Sequence, residues 1–136
     1  MDPVVHFELP AEDRDKMVRF YSTVFGWQAQ TFGPEMGNYT VVTTTESDQN
    51  GRPVAPGTIN GGFYMKTDDP MSHAPSVVIG VEDARASMAA IEKEGGTILR
   101  GPDEVPGVGY LVIFQDCEGN RLSVLQPLPF SAENAT

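Results

Sequence analysis

Near the start of the chain, His6 and Glu8 are the two side chains whose types and spacing could do chemistry. Two residues apart in an extended segment, they project from the same face. An imidazole that titrates near neutrality beside a carboxylate can move protons, orient a ligand through hydrogen bonds, or form a satisfied pair with no ligand role. The residues alone leave all three readings open. A His-x-Glu phrase also occurs in zinc deaminases, but that chemistry needs a Pro-Cys-x-x-Cys partner, and the chain has a single cysteine. That residue, Cys117, lies between Asp116 and Glu118, whose charges disfavour a thiolate and make it a poor nucleophile. His73 stands beside Pro75 in a segment that reads as a surface loop. Gly107-Val108-Gly109 lacks the third glycine and following helix of a dinucleotide fingerprint, and there is no Walker loop or nucleophile elbow.

Presenting the His6/Glu8 pair requires a strand, and the local pattern supplies one. Val5, Phe7 and Leu9 alternate with His6 and Glu8, and Pro10 closes the run. Asp13 is a helix N-cap candidate, after which Met17, Phe20, Tyr21, Val24 and Phe25 recur at three- and four-residue spacing until Gly26 stops the helix. Strands are expected at 27–32, 38–44 and 60–66, the last two flanking a polar Gly/Pro-rich hairpin loop at 45–58.

Shifting the chain against itself by 70 residues sets His6 on Ser76 and repeats the pattern without gaps. Leu9 meets Ile79, Glu12 meets Glu82, Asp13 meets Asp83, and Gly26 meets Gly96. The second half then has a strand at 76–81 and a helix capped by Asp83 that carries Ala84, Met88 and Ile91 and stops at Gly95-Gly96. Strands at 97–104, 109–115 and 121–126 follow, with turn chemistry at 116–120. The fold class is α+β, built from two tandem βαβββ modules at 4–66 and 76–127 with a linker at 67–75 and a loose tail at 128–136. A sheet covered by a helix on one face needs cover on the other. The two curved sheets are therefore expected to face each other around a central trough, a natural place for a ligand.

At 136 residues the chain suits a single domain, and 40% hydrophobic with 21% charged residues is ordinary globular usage. Nineteen acidic against nine basic side chains give a formal charge of −10, which argues against nucleic acid and anionic membrane surfaces as partners. One cysteine excludes an internal disulfide, and neither a leader nor an apolar run of membrane-spanning length is visible, so a cytoplasmic location is expected. Trp27, Tyr39, Phe63, Tyr64, Tyr110 and Phe114 fall on expected strands. Periodicity of this quality does not say which of them face the trough.

The phrases Val5-His6-Phe7-Glu8-Leu9, Arg19-Phe20-Tyr21 and Val24-Phe25-Gly26-Trp27, with the late Asp116-Cys117-Glu118-Gly119-Asn120-Arg121, resemble the vicinal oxygen chelate superfamily. This is the glyoxalase, bleomycin-resistance and extradiol dioxygenase group, and the resemblance runs from Val4 to Gln126. It implies a glyoxalase-like fold. In the family's enzymes it implies a divalent metal in the trough, held by ligands from the first and last strand of each module, with positions open for two neighbouring substrate oxygens. His6 sits at the first-strand ligand position, and Ser76 is its counterpart where His or Gln is usual. In the last strand, Gly119-Asn120-Arg121-Leu122-Ser123 puts Ser123 where the family phrase has Glu, and the matching place in the fourth strand falls at Gly62. Only His6 is a competent donor, and serine hydroxyls bring neither charge nor a strong donor atom.

The resemblance thus implies a small-molecule binding protein of the glyoxalase/bleomycin-resistance type, with the missing donors arguing against a cofactor; the ligand-contact candidates are His6, Glu8, Ser76 and Ser123, with Tyr64 and Tyr110 from the strand aromatics. The alternative is a divalent-metal-dependent lyase, isomerase or dioxygenase with an atypical ligand set that includes His6. A metal-free enzyme moving protons between Glu8 and His6 and a pocketless structural dimer complete the set. Exposed sheet edges, with the habit of many relatives, point to a homodimer.

Overall fold

The computed structural model describes residues 1–128. The chain forms two compact units, one of His6–Pro75 and one in which Met1–Val5 joins the residues from Ser76 onward. Each repeats the order strand, helix, three strands.

In the first unit, β1 (Val4–Ala11) runs parallel to β4 (Asn60–Met65), which pairs antiparallel with β3 (Thr40–Thr43), and β3 pairs antiparallel with β2 (Gln28–Thr31). Pro10, expected to close the first strand, instead lies inside β1 in register with Tyr64. Helix α1 (Arg14–Phe25) begins where the Asp13 carboxylate accepts from Lys16 N at 3.1 Å, satisfying an otherwise orphaned donor. It ends at Gly26, whose φ of 74° is the left-handed conformation that terminates helices. One face of α1 packs Met17, Val18 and Tyr21 onto Ala11, Val42 and Phe63, with Leu9 and Trp27 alongside. Tyr21 stacks on Trp27 at 4.6 Å between ring centroids and meets Phe63 at 5.5 Å. Offset aromatic contacts of this kind hold the helix in register on the sheet.

The second unit has β5 (Ser76–Gly80), α2 (Ala84–Lys93), β6 (Thr97–Val105), β7 (Gly109–Gln115) and β8 (Arg121–Pro127). Its strands lie in the order β5-β8-β7-β6, with β5 and β8 parallel and the remaining pairs antiparallel. Asp83 caps α2 by accepting from Ala86 N at 3.1 Å, as Asp13 does for α1. Val81, Ala84, Val112, Phe114 and Val124 form this unit's core, joined by Met88 and Ile91 of α2. The expected linker contains a short 3-10 turn, Pro70–His73, capped by Asp69 with Ser72 buried. From residue 129 the expected tail lies outside the described residues. None of the described helices is long and apolar enough to cross a membrane.

Two substitutions test the first core. Phe63 is 1% exposed, so Phe63→Ala should cost about 3–5 kcal/mol in denaturant unfolding, a large share of a small domain's stability. Thr40, opposite Phe63 on the same face, is fully buried, and its Oγ1 has no partner among the described residues. Thr40→Val keeps the shape and removes the orphan, so it should leave stability unchanged or raise it by about 1 kcal/mol; a clear loss would mean the hydroxyl is satisfied.

Candidate functional site

Alternation along β1 divides its side chains between two faces. Leu9 and Ala11 pack beneath α1, so His6 and Glu8 emerge on the opposite face, both half-buried. The parallel register sets His6 on Asn60 and Glu8 on Gly62, and these face the same way. Tyr39, just before β3, reaches onto this face from the other side of β4 and donates from Oη to Glu8 Oε2 at 3.0 Å.

Tyr39 is set by the tight turn that precedes it. A 3-10 turn at Pro34–Met36 and a left-handed Asn38 (φ 55°) reverse the chain, and Tyr39 O accepts from Phe32 N at 2.9 Å. Arg14 Nη1, at the start of α1, donates to Phe32 O at 2.7 Å and to Asn38 O at 2.9 Å, fastening both sides of the hairpin to the helix. The Tyr39 ring then lies over Gly62. A Cβ at Gly62 would sit 2.1 Å from Tyr39 Oη and 2.3 Å from Cζ, distances that real atoms do not adopt. The neighbouring Gly61 does the same on the helix face, where a Cβ would lie 2.3 Å from Phe7 O and 2.8 Å from the Phe7 ring. The glycine pair thus exists because one aromatic side chain covers each side of β4.

His6 is held from the other side. Its Nδ1 lies 3.3 Å from Asn60 O. A carbonyl oxygen only accepts, so Nδ1 carries the proton and Nε2 is left as the acceptor of the neutral ring. Burial pushes the His6 pKa below its usual value, and the Asn60 carbonyl offsets this in part. The Tyr39 hydroxyl is pushed far above its usual range, first by burial and then by the charge and hydrogen bond of Glu8, with Tyr64 adding to the effect. At neutral pH the face therefore presents a neutral imidazole and a protonated phenol that holds one oxygen of Glu8.

Asn60 also organises the long β3–β4 hairpin. Its Oδ1 accepts from Thr44 N at 2.9 Å, and its Nδ2 donates to Ser47 Oγ at 2.9 Å and Gly51 O at 3.3 Å. The expected loop at 45–58 is in consequence tied to the His6 end of the sheet. At its tip, Asp48 Oδ1 accepts from Asn50 N and Arg52 N, the same pattern by which Asp116 Oδ1 accepts from Glu118 N and Asn120 N in the second unit. The two turns are counterparts. In the second unit the turn joins β7 to β8 directly, whereas in the first residues 44–47 and 53–59 separate it from the strands.

The remaining sequence candidates are placed as follows. Tyr64 lies on the His6/Glu8 face in register with Pro10, and its hydroxyl donates to Ala74 O. Ser76 and Ser123 both lie on the face of the second sheet turned away from α2, both buried. Ser76 Oγ donates to Arg121 O at 3.0 Å, just as His6 engages the backbone of Asn60. Val78 pairs with Ser123 as Glu8 pairs with Gly62, so Gly62 and Ser123 are equivalent positions. Tyr110 alternates in phase with Val112 and Phe114, which pack beneath α2, so it belongs to the helix-covered face of the second sheet, opposite to Ser76 and Ser123. A hollow of about 440 Å³ at the start of α1, lined by Glu12, Asp13, Arg14, Asp15, Asn38 and Met65, contains none of the candidates. Sequence reasoning named Tyr39 among the strand aromatics without placing it in the site, and missed Asn60. The Gly61-Gly62 pair was the available signal, since glycine inside a strand marks a close approach.

The four family ligand places carry His6, Gly62, Ser76 and Ser123. Gly62 has no donor, and the room for one is taken by the Tyr39 hydroxyl. Among the described residues, no three His, Cys, Asp or Glu side chains come together as a metal-binding group. Taken unit by unit, the first offers one imidazole and no second donor at these places and the second two neutral hydroxyls, fewer strong donors than the three or four N/O ligands typical of a divalent ion.

Two measurements follow from this geometry. In an NMR titration of the two histidines, His6 should protonate below the usual value of about 6.5. Because the unfolded chain then takes up that proton first, stability should fall as pH drops through about 6.5 and level off once folded His6 is also protonated. Asn60→Ala removes an acceptor and two donors from the loop base, so it should cost about 1–3 kcal/mol and accelerate hydrogen exchange at the Thr44 amide.

Comparison with known proteins agrees with this architecture. The family model "Glyoxalase/Bleomycin resistance protein/Dioxygenase superfamily" matches residues 4–124. A glyoxylase-like domain-containing protein of Didymella fabae is 31% identical over 86% of this chain and 88% of its own length. A probable lactoylglutathione lyase of Vibrio parahaemolyticus is 29% identical over 95% of this chain and 94% of its own. Other relatives are longer, and the chain spans less than half of their length. Among solved structures, a methylmalonyl-CoA epimerase of Streptomyces coelicolor shares the fold with a TM-score of 0.65 at 17% identity, over 90% of this chain and 94% of that one. The chain therefore belongs to the glyoxalase/bleomycin resistance protein/dioxygenase superfamily.

Proposed function

We propose that the chain is a small-molecule binding protein of the glyoxalase/bleomycin-resistance type that engages its ligand without a metal. The supporting observation is the composition of the His6/Glu8 face. It offers an imidazole acceptor, a carboxylate held by a phenol, and Tyr64 as apolar surface, where a metal enzyme of the family would need several charged or imidazole donors. Ser76 and Ser123 are the corresponding polar positions of the second unit. Tyr110, on the helix-covered face, is left out of this contact set.

A second reading is a divalent-metal-dependent lyase, isomerase or dioxygenase that uses His6 in an atypical set. The likeness to the probable lactoylglutathione lyase favours it. Elemental analysis of protein purified without chelator separates the two. The metal-free reading expects less than about a tenth of a metal per chain and no thermal shift with nickel, manganese, zinc or ferrous iron, because an ion that binds the native state must stabilise it. Stoichiometric metal lost on His6→Ala would select the second reading. A thermal-shift screen of small aromatic compounds should yield ligands whose stabilisation is reduced about tenfold in affinity by His6→Ala; unchanged affinity would remove His6 from the site.

The protein is further read as a homodimer. Phe20, Val24 and Phe25 of α1 are all more than half exposed, an apolar surface that self-association would cover. Sedimentation at two concentrations tests this, and a concentration-independent monomer would reject it.

A further inference from the structure

We infer that Tyr39 and Gly62 form a coupled pair that replaces a metal ligand in the first unit and sets the specificity of the Glu8 face against divalent cations. The inference rests on the metal-free reading above. Its starting point is the equivalence of Gly62 and Ser123, established by the pairings Glu8 to Gly62 and Val78 to Ser123 in the two parallel strand pairs. Ser123 is the place where the family phrase has glutamate. A side chain projecting from position 62 would enter the volume beside Glu8, and that volume is already filled: the Cβ alone would lie 2.1 Å from Tyr39 Oη. The Tyr39 ring and a ligating side chain at 62 are mutually exclusive.

The exchange alters the chemistry of the face as well as its shape. A ligating carboxylate would add a negative charge next to Glu8 and draw a cation between the two. The phenol adds no charge, and it directs a proton at Glu8 Oε2 from 3.0 Å, so the carboxylate is fixed as a hydrogen-bond acceptor instead of being aimed at an ion. The backbone that carries Tyr39 is held in place by Arg14, which donates to Phe32 O and Asn38 O, and the hydrogen bond to Glu8 Oε2 sets the direction of its ring. Glycine at 62 and tyrosine at 39 are thus one adaptation at two sites, and each makes sense only with the other.

Nickel binding by isothermal titration, on the full chain, tests the pair. Wild type and Tyr39→Phe should show no stoichiometric binding, since both keep the ring. The double variant Tyr39→Gly with Gly62→Glu should bind nickel at least about tenfold more tightly than wild type, and adding His6→Ala should abolish the gain. A folded double variant with wild-type nickel affinity would overturn the inference and leave the metal-free reading intact. Stoichiometric nickel binding by wild type, lost in His6→Ala, would sink that reading itself. A thermal-stability cycle serves should the double variant fail to fold. Gly62→Ala should lower Tm, and Tyr39→Ala should relieve at least about half of that drop because the clash partner is gone. Equal drops with and without the ring would reject the pair.

Discussion

Parallel pairing of β1 with β4, from His6 on Asn60 to Ala11 on Met65, is the constraint on which the rest of the first unit depends. Side chains alternate along both strands, so a slip of one residue would drive Leu9 and Ala11 out of the core and His6 and Glu8 into it. Burial of Ala11, Val42 and Phe63 beneath α1 forbids that slip. The chemistry of the opposite face is therefore fixed by packing on the face that carries none. The same logic holds in the second unit, where Val124 is drawn into the core and turns Ser123 the other way.

On the polar face, two interactions act in opposite senses. Asn60 O fixes the tautomer of His6 and leaves Nε2 as an acceptor, while Tyr39 Oη donates a hydrogen bond to Glu8 Oε2 and keeps its proton. Burial disfavours charge on both the imidazole and the phenol. The face thus gains directional hydrogen bonding without added cationic or phenolate charge.

Much of this architecture was legible in the residues. Asp13 and Asp83, one repeat apart, cap equivalent helices; Gly26 ends the first; and the period-two alternation put His6 and Glu8 together on one face. What stayed hidden depends on contacts between strands. Tyr39 precedes its strand, and only the pairing of β3 with β4 shows that its ring crosses to Gly62. The role of Asn60 is divided between a backbone carbonyl facing His6 and an amide facing a distant loop, neither of which leaves a periodic trace. Tyr110 was ambiguous because the phase of a strand is known only once one of its residues is located in a core.

The matching aspartate turns at Asp48 and Asp116 bear on how such a repeat can diverge. Each is closed by its own hydrogen bonds, including Gly51 N to Asp48 O and Gly119 N to Asp116 O, and among the described residues the first is tied to its strand only through Asn60 Nδ2, which donates to Gly51 O. Such a turn can ride outward on added chain without disturbing the ladder below, and lengthening a closed loop is inexpensive, about 0.6 kcal/mol per doubling. The β3–β4 connection exceeds its β7–β8 counterpart by residues 44–47 and 53–59, so the tip of the longer one is a natural graft site for new sequence.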